Sequence, residues 1–207
     1  IDVELPNPEQ NIVIDAMLWR PVANTTGTLE VVLTKTTDFY ANEIPYISGA
    51  TVTLSTDDTV VIAVELEAGH YKAANIAVHE NDVFELRIEA NGVAYTAEET
   101  LVLGTTIDAI TEGKDTIFSD DEVEAIVQFT DRPEIGNYYV MDFGYNNLFV
   151  TRDKFYNGNQ LTFSFYYDEF FPKNTPTPVH LMGVDKDFYT YMQVLIFTCR
   201  SRWRRSI

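Results

Sequence analysis

One cysteine, Cys199, serves all 207 residues, so no internal disulfide can staple the fold. Long apolar runs are missing too. No stretch approaches the roughly 18 apolar residues that a membrane-spanning helix needs, and no signal peptide opens the chain, so Ile1 reads as a start made by processing or by a fragmentary gene. The 10 glycines stand singly in turns, which leaves no phosphate-cradling loop. The three histidines, His70, His79 and His180, have no H-x-x-x-H or C-x-x-C spacing around them, so zinc finds no ligand set. Basic side chains are scarce. Four of the 14 lie in the last eight residues (Arg200, Arg202, Arg204 and Arg205), leaving residues 1–198 with 10 basic against 32 acidic groups. Such a surface repels nucleic-acid phosphates and anionic lipid.

What is present is β patterning. Hydrophobic residues make up 45% of the chain, enough for real cores, and 12 Tyr and 13 Phe suit pleated, half-buried surfaces. From Ile47 to Leu103 apolar and polar residues alternate between Ser48-Gly49, Asp57-Asp58, Ala68-Gly69 and Asn91-Gly92. In Phe84–Ala90 the apolar residues share one face and the charges the other, a period of two that predicts a sheet with one wet side. Residues 1–10 read as an extended lead-in. Strands are predicted at 11–19 (Ile12, Ile14, Ala16 and Leu18 inward), 29–36, 51–56, 59–67, 69–73, 83–90 and 93–103. Asn91-Gly92 tolerates the positive φ of a tight hairpin, and Asp57-Asp58 makes a weaker turn of the same kind. Seven short strands in about a hundred residues are the profile of an immunoglobulin-like sandwich over residues 1–103.

Residues 104–198 read as a second β-rich lobe. Val123, Ala125, Val127 and Phe129 alternate with Glu124, Ile126 and Gln128, and Leu161, Phe163, Phe165 and Tyr167 make an apolar face. Further strands are predicted at 107–111, 137–143 and 148–151, and Pro172, Pro176 and Pro178 break the pattern. One helix is predicted near 185–197, capped by Asp185, with Phe188, Tyr191, Met192 and Leu195 as the docking stripe. Residues 199–207 form an atypical basic tail.

Several ordered motifs carry a resemblance: Asn11-Ile-Val-Ile-Asp-Ala, Val32 to Tyr40, Ile47-Ser-Gly-Ala-Thr-Val-Thr-Leu, Gly69-His-Tyr, Ala94-Tyr-Thr-Ala, Thr106-Ile-Asp-Ala-Ile, Phe155-Tyr-Asn-Gly-Asn and Asp187-Phe-Tyr-Thr-Tyr-Met. In order and spacing they resemble the domain-of-unknown-function 4249 family of Bacteroidota outer-membrane lipoproteins. The resemblance implies an envelope protein anchored by an N-terminal lipidated cysteine, encoded beside TonB-dependent receptors. It also implies an N-terminal sandwich like those of transthyretin and carboxypeptidase regulatory domains. It brings no catalytic residue. Two features depart from the family: the anchoring cysteine is absent, so the chain would begin just after it, and the C-terminus reverses the charge of the chain where the family continues with more strand. A basic membrane-binding tail is one reading of that end. A shifted or truncated reading frame is favoured, because Cys199 and the clustered arginines occur only there.

Catalytic grammar is thin. Asp57-Asp58 and Asp120-Asp121-Glu122 could offer oxygen ligands to calcium but lack the spacing of an EF-hand, and read as solvated acids. No G-x-S-x-G elbow occurs, and Cys199 lacks a thiolate-stabilising setting. No cofactor or metal is expected. The residues left as partner contacts are the loop aromatics Phe39, Tyr40, Tyr46 and Tyr145, apolar in body and polar at the tip. The expectation is a non-enzymatic envelope module serving a TonB-dependent receptor. A carboxylate enzyme of carbohydrate or peptide turnover with its site between the lobes, and a structural stalk or adhesin domain, are the other readings.

Overall fold

The computed structural model describes residues 10–37, 41, 43–114, 122–145, 147–167 and 175–203. Most of the expected lead-in, Phe39, Tyr40, Asp120, Asp121, Pro172 and the end of the basic tail lie outside the described residues. The protein is mainly β, with one C-terminal helix. It divides into two compact units, Ile1–Leu101 and Val102–Ile207.

The first unit is one curled sheet of seven strands: β1 (Ile12–Trp19), β2 (Thr26–Lys35), β3 (Thr51–Ser55), β4 (Val60–Glu67), β5 (His70–Ala77), β6 (Val83–Ala90) and β7 (Val93–Thr100). Their order is β1-β2-β5-β4-β3-β6-β7, with every pairing antiparallel. The strand that folds the sheet over is β4. Its first half, Val60–Ala63, pairs with β3, and its second, Val64–Glu67, pairs with β5 across a register shift at Glu65/Glu67. A single strand thereby serves both halves of a sandwich-like shell. The expected alternation fills the inside: Leu29, Val31 and Leu33 from β2, Val52 and Leu54 from β3, and Phe84 and Ile88 from β6 are buried together. Each such side chain, fully buried, contributes about 1.5–3 kcal/mol of transfer free energy. Thr53, Glu85 and Arg87 lie on the outer face, as the pattern predicts. Asn91 and Gly92 both take positive φ in the β6–β7 turn.

The second unit contains two three-stranded sheets. One has the order β12-β9-β8, from β8 (Ile107–Glu112), β9 (Val123–Thr130) and β12 (Gln160–Tyr167). The other has the order β11-β10-β13, from β10 (Tyr138–Asp142), β11 (Leu148–Arg152) and β13 (His180–Val184). Residues 180–184 extend the proline-rich segment that reads as broken in the sequence. Val127 and Phe129 of β9 and Phe163, Phe165 and Tyr167 of β12 share a core with Tyr139, Met141 and Phe143. Phe143 stacks on Phe165 at 4.2 Å, and Phe149 on Phe163 at 4.4 Å.

The helix α1 (Lys186–Trp203) packs on β10 and β11 and runs into the basic tail. Asp185 caps it as the sequence predicts: its Oδ1 accepts the N–H groups of Asp187 at 2.6 Å and Phe188 at 2.8 Å. Of the predicted docking stripe only Met192 is buried. Tyr189 and Met192 are buried, with Tyr189 5.0 Å from the Tyr138 ring, while Phe188, Tyr191 and Leu195 are exposed. Three narrow strands cover only part of a helix circumference, so the bulkiest face of the sequence need not be the one that docks.

Candidate functional site

In the first unit the exceptional element is β4. Its sequence, Val60-Val-Ile-Ala-Val-Glu-Leu-Glu67, is apolar on both faces for most of its length, so periodicity alone cannot say which face is buried. The inner face carries Val61, the small Ala63 at the corner, and Glu65. The bulkier set points to solvent: Val60, Ile62, Val64 and Leu66 are each 63–68% exposed. Together they wet on the order of 400 Å² of aliphatic surface, the size of the largest patches that monomers carry. Hydroxyls flank the row, because Val60 sits opposite Ser55 and Ile62 opposite Thr53. Beyond them the nearby cations are occupied within the unit, Lys72 by Glu30 at 2.7 Å and Arg87 by Glu89 at 2.7 Å. Asp57, Asp58, Glu67 and Glu85 leave the margin of the stripe acidic.

A polar lock under the stripe holds β4 in this orientation. Glu65 accepts the N–H of Gly49 at 2.9 Å and of Gly69 at 3.0 Å, and those two backbone bonds hold its carboxyl below the usual range. The Tyr71 hydroxyl donates to the Ile47 carbonyl at 3.1 Å and accepts from Ala50 N–H at 2.9 Å; burial pushes its pKa up. Gly69 has φ +72°, and a Cβ there would lie 2.6 Å from the Leu33 carbonyl. The motifs Ile47-Ser-Gly-Ala and Gly69-His-Tyr are therefore parts of one lock that fixes a loop to the corner of the sheet.

In the second unit buried carboxylates do similar work. Asp131 accepts the Tyr139 hydroxyl at 2.6 Å and Gly158 N–H at 2.9 Å. Asp153 accepts Gly136 N–H at 2.6 Å and Asn137 N–H at 2.9 Å, and the Asn157 amide, with its nitrogen turned toward the acceptors, donates to the Glu134 carbonyl at 3.0 Å and to the Asp153 carboxylate at 3.1 Å. Loop 131–137 and the Phe155-Tyr-Asn-Gly-Asn segment are thus laced into one rim. Burial, then the Asp131 carboxylate, raises the Tyr139 pKa, and burial pushes Tyr156 up to about 12 although its bond to Thr151 at 2.9 Å opposes this. Proton-holding phenols beside fully engaged carboxylates make a structural network. Glu124 is also buried and accepts the Tyr166 hydroxyl at 3.1 Å. An open groove of about 520 Å³ between β11 and the C-terminal half of α1 is lined by Phe149, Val194 and Phe197 among others, with no titratable group among the described residues that line it. Among the described residues no three His, Cys, Asp or Glu converge as metal ligands.

The contact residues expected from sequence fare unevenly. Tyr46 is half-exposed in the first unit, its ring tilted 5.1 Å from His70. Tyr145 is exposed at φ +52° in the turn between β10 and β11 of the second unit. Phe39 and Tyr40 lie outside the described residues. Sequence reasoning missed the β4 stripe, because apolar residues occupy both faces of the strand and its period of two does not say which set turns outward.

Residues 1–198 match the family model described as Domain of unknown function (DUF4249), and the chain belongs to that family. No curated protein matches the chain.

Proposed function

We propose that the chain is a non-enzymatic module of the cell envelope that docks on a partner protein through the outer face of β4, and that the partner is a TonB-dependent outer-membrane receptor. The exposed row Val60, Ile62, Val64 and Leu66 carries this reading. Covering it would return about 10 kcal/mol of gross transfer free energy, from which the cost of association is subtracted. The acidic margin selects a partner whose own apolar patch is rimmed by Lys or Arg, and it disfavours a second copy, which would bring Asp57, Asp58, Glu67 and Glu85 toward their equivalents. The envelope setting, the lipid anchor and the receptor association follow from what the family resemblance implies.

The test is affinity capture from envelope extract with the full chain as bait. Wild type and an Ile110→Lys control, altered at an exposed position of the second unit, are expected to enrich a TonB-dependent receptor, and Ile62→Lys to lose it. Failure of wild type to recover any such receptor, or equal recovery by Ile62→Lys, overturns the reading.

A further inference from the structure

Two large apolar side chains stand almost wholly in water on the laced rim of the second unit: Ile135 is 91% exposed and Phe155 is 88% exposed. Isolated exposed apolar residues are commonplace and need no explanation. These two differ because their backbones are held. Ile135 precedes Gly136, whose N–H binds the buried Asp153 carboxylate, and Phe155 follows that same Asp153 by two residues. The Asp153 N–H in turn donates to the Asn137 carbonyl at 3.1 Å. Both tips therefore project from one rim whose geometry is set by nine-tenths-buried acids.

The charges around the tips are equally distinctive. Asp131 and Asp153 are turned inward and engaged, whereas Arg152 and Lys154 are exposed beside Phe155, with the Lys154 Nζ 5.3 Å from the ring centroid. Arg132 lies in the opposing loop and pairs with Glu134 at 3.2 Å. The exposed cations of the rim are thus Arg152 and Lys154, while Arg132 is offset by Glu134, whose side chain is 60% exposed.

We infer that this rim rests on a phospholipid surface, with Ile135 and Phe155 entering the boundary between headgroups and acyl chains and Lys154 and Arg152 meeting lipid phosphates. A protein partner would need a contiguous, shape-complementary patch, whereas two separated tips flanked by cations suit the headgroup region, which moulds itself around them. The overall negative charge of the chain opposes an anionic bilayer, so the surface that fits is a zwitterionic one, where local attraction to phosphate acts within a Debye length. Two side chains give weak, reversible adhesion that orients the unit rather than anchoring it. This inference is independent of docking through β4.

The experiment is flotation of the full chain with vesicles of phosphatidylcholine and phosphatidylethanolamine. Wild type and Ile62→Lys are expected to float with the vesicles, and the double variant Ile135→Ser, Phe155→Ser to partition at least about tenfold less. In a second measurement, Phe155→Trp is expected to gain fluorescence that brominated lipid quenches, beyond the signal of Trp19 and Trp203. Absence of wild-type flotation, equal flotation of the double variant (binding that then belongs to the basic tail), or an unquenched tryptophan at position 155 overturns the inference.

Discussion

The first unit keeps its charges at the margin and lets aliphatics spill outward, while the second takes carboxylates inside and closes them over with aromatics. Every buried acid among the described residues, Glu124, Asp131 and Asp153, belongs to the second unit. Its core is ring-rich, with Phe129 5.5 Å from Tyr139 and Phe143 stacked on Phe165. The first unit instead buries Leu, Val and Ile from strands on both halves of one folded sheet. The two units thus illustrate different ways of holding loops in place. A shell of aliphatics fixes its strands by volume and needs only the Glu65–Tyr71 lock at one corner. A small pair of three-stranded sheets must fasten its loops by directed bonds, and only a buried carboxylate offers two strong acceptors at one point.

That contrast can be broken most forcefully at its aliphatic end. Leu33 is fully buried in β2, so Leu33→Ala is expected to cost about 2–5 kcal/mol, read as a lower urea midpoint at unchanged slope. A cost below that range would mean that the first unit is not fastened by volume. Next comes Asp131→Ala, which strands the Tyr139 hydroxyl and Gly158 N–H in a buried site and is expected to cost about 2–3 kcal/mol, with Asp131→Asn recovering part. Hydrogen exchange should place the loss at residues 131–137 and 156–159. A neutral Asp131→Ala would remove the clamp from the account.

The smallest effect is the most specific. Tyr156→Phe gives up one hydroxyl bond to Thr151, about 1 kcal/mol at neutral pH. Tyr156 holds its proton to about 12 in the folded protein against an ordinary value near 10. Above pH 10 the unfolded chain therefore sheds that proton first, and stability present below pH 10 is lost as the pH rises toward 12. The Phe variant should show a shallower alkaline decline in urea midpoints measured from pH 8 to 11.5. An identical decline would assign the alkaline limb to other tyrosines, Tyr139 and Tyr167 among them, whose values are also raised.

Much of this architecture is legible in the residues. The alternation in Phe84–Ala90, the Asn91-Gly92 hairpin, the Leu161–Tyr167 face and the Asp185 cap all follow from local chemistry, which a period of two or a capping oxygen states directly. The order of strands is not local: nothing between Val60 and Glu67 announces that β4 changes partners halfway, and so nothing says which of its two apolar faces turns outward. Tyr139 and Asp131 are separated by eight residues and joined by one bond, a pairing that only the packed sheets create. For the same reason Tyr189, one residue from the expected stripe, became the helix anchor. The rim tips Ile135 and Phe155 sit in short polar stretches without periodicity, where a lone apolar residue carries no directional signal.

The dual membership of β4 has a mechanical consequence. Because its two halves are hydrogen-bonded to different neighbours, peeling away β3, β6 and β7 tears the same ribbon that closes β1, β2 and β5. The shell should therefore yield all at once, as a single cooperative block without a half-open form.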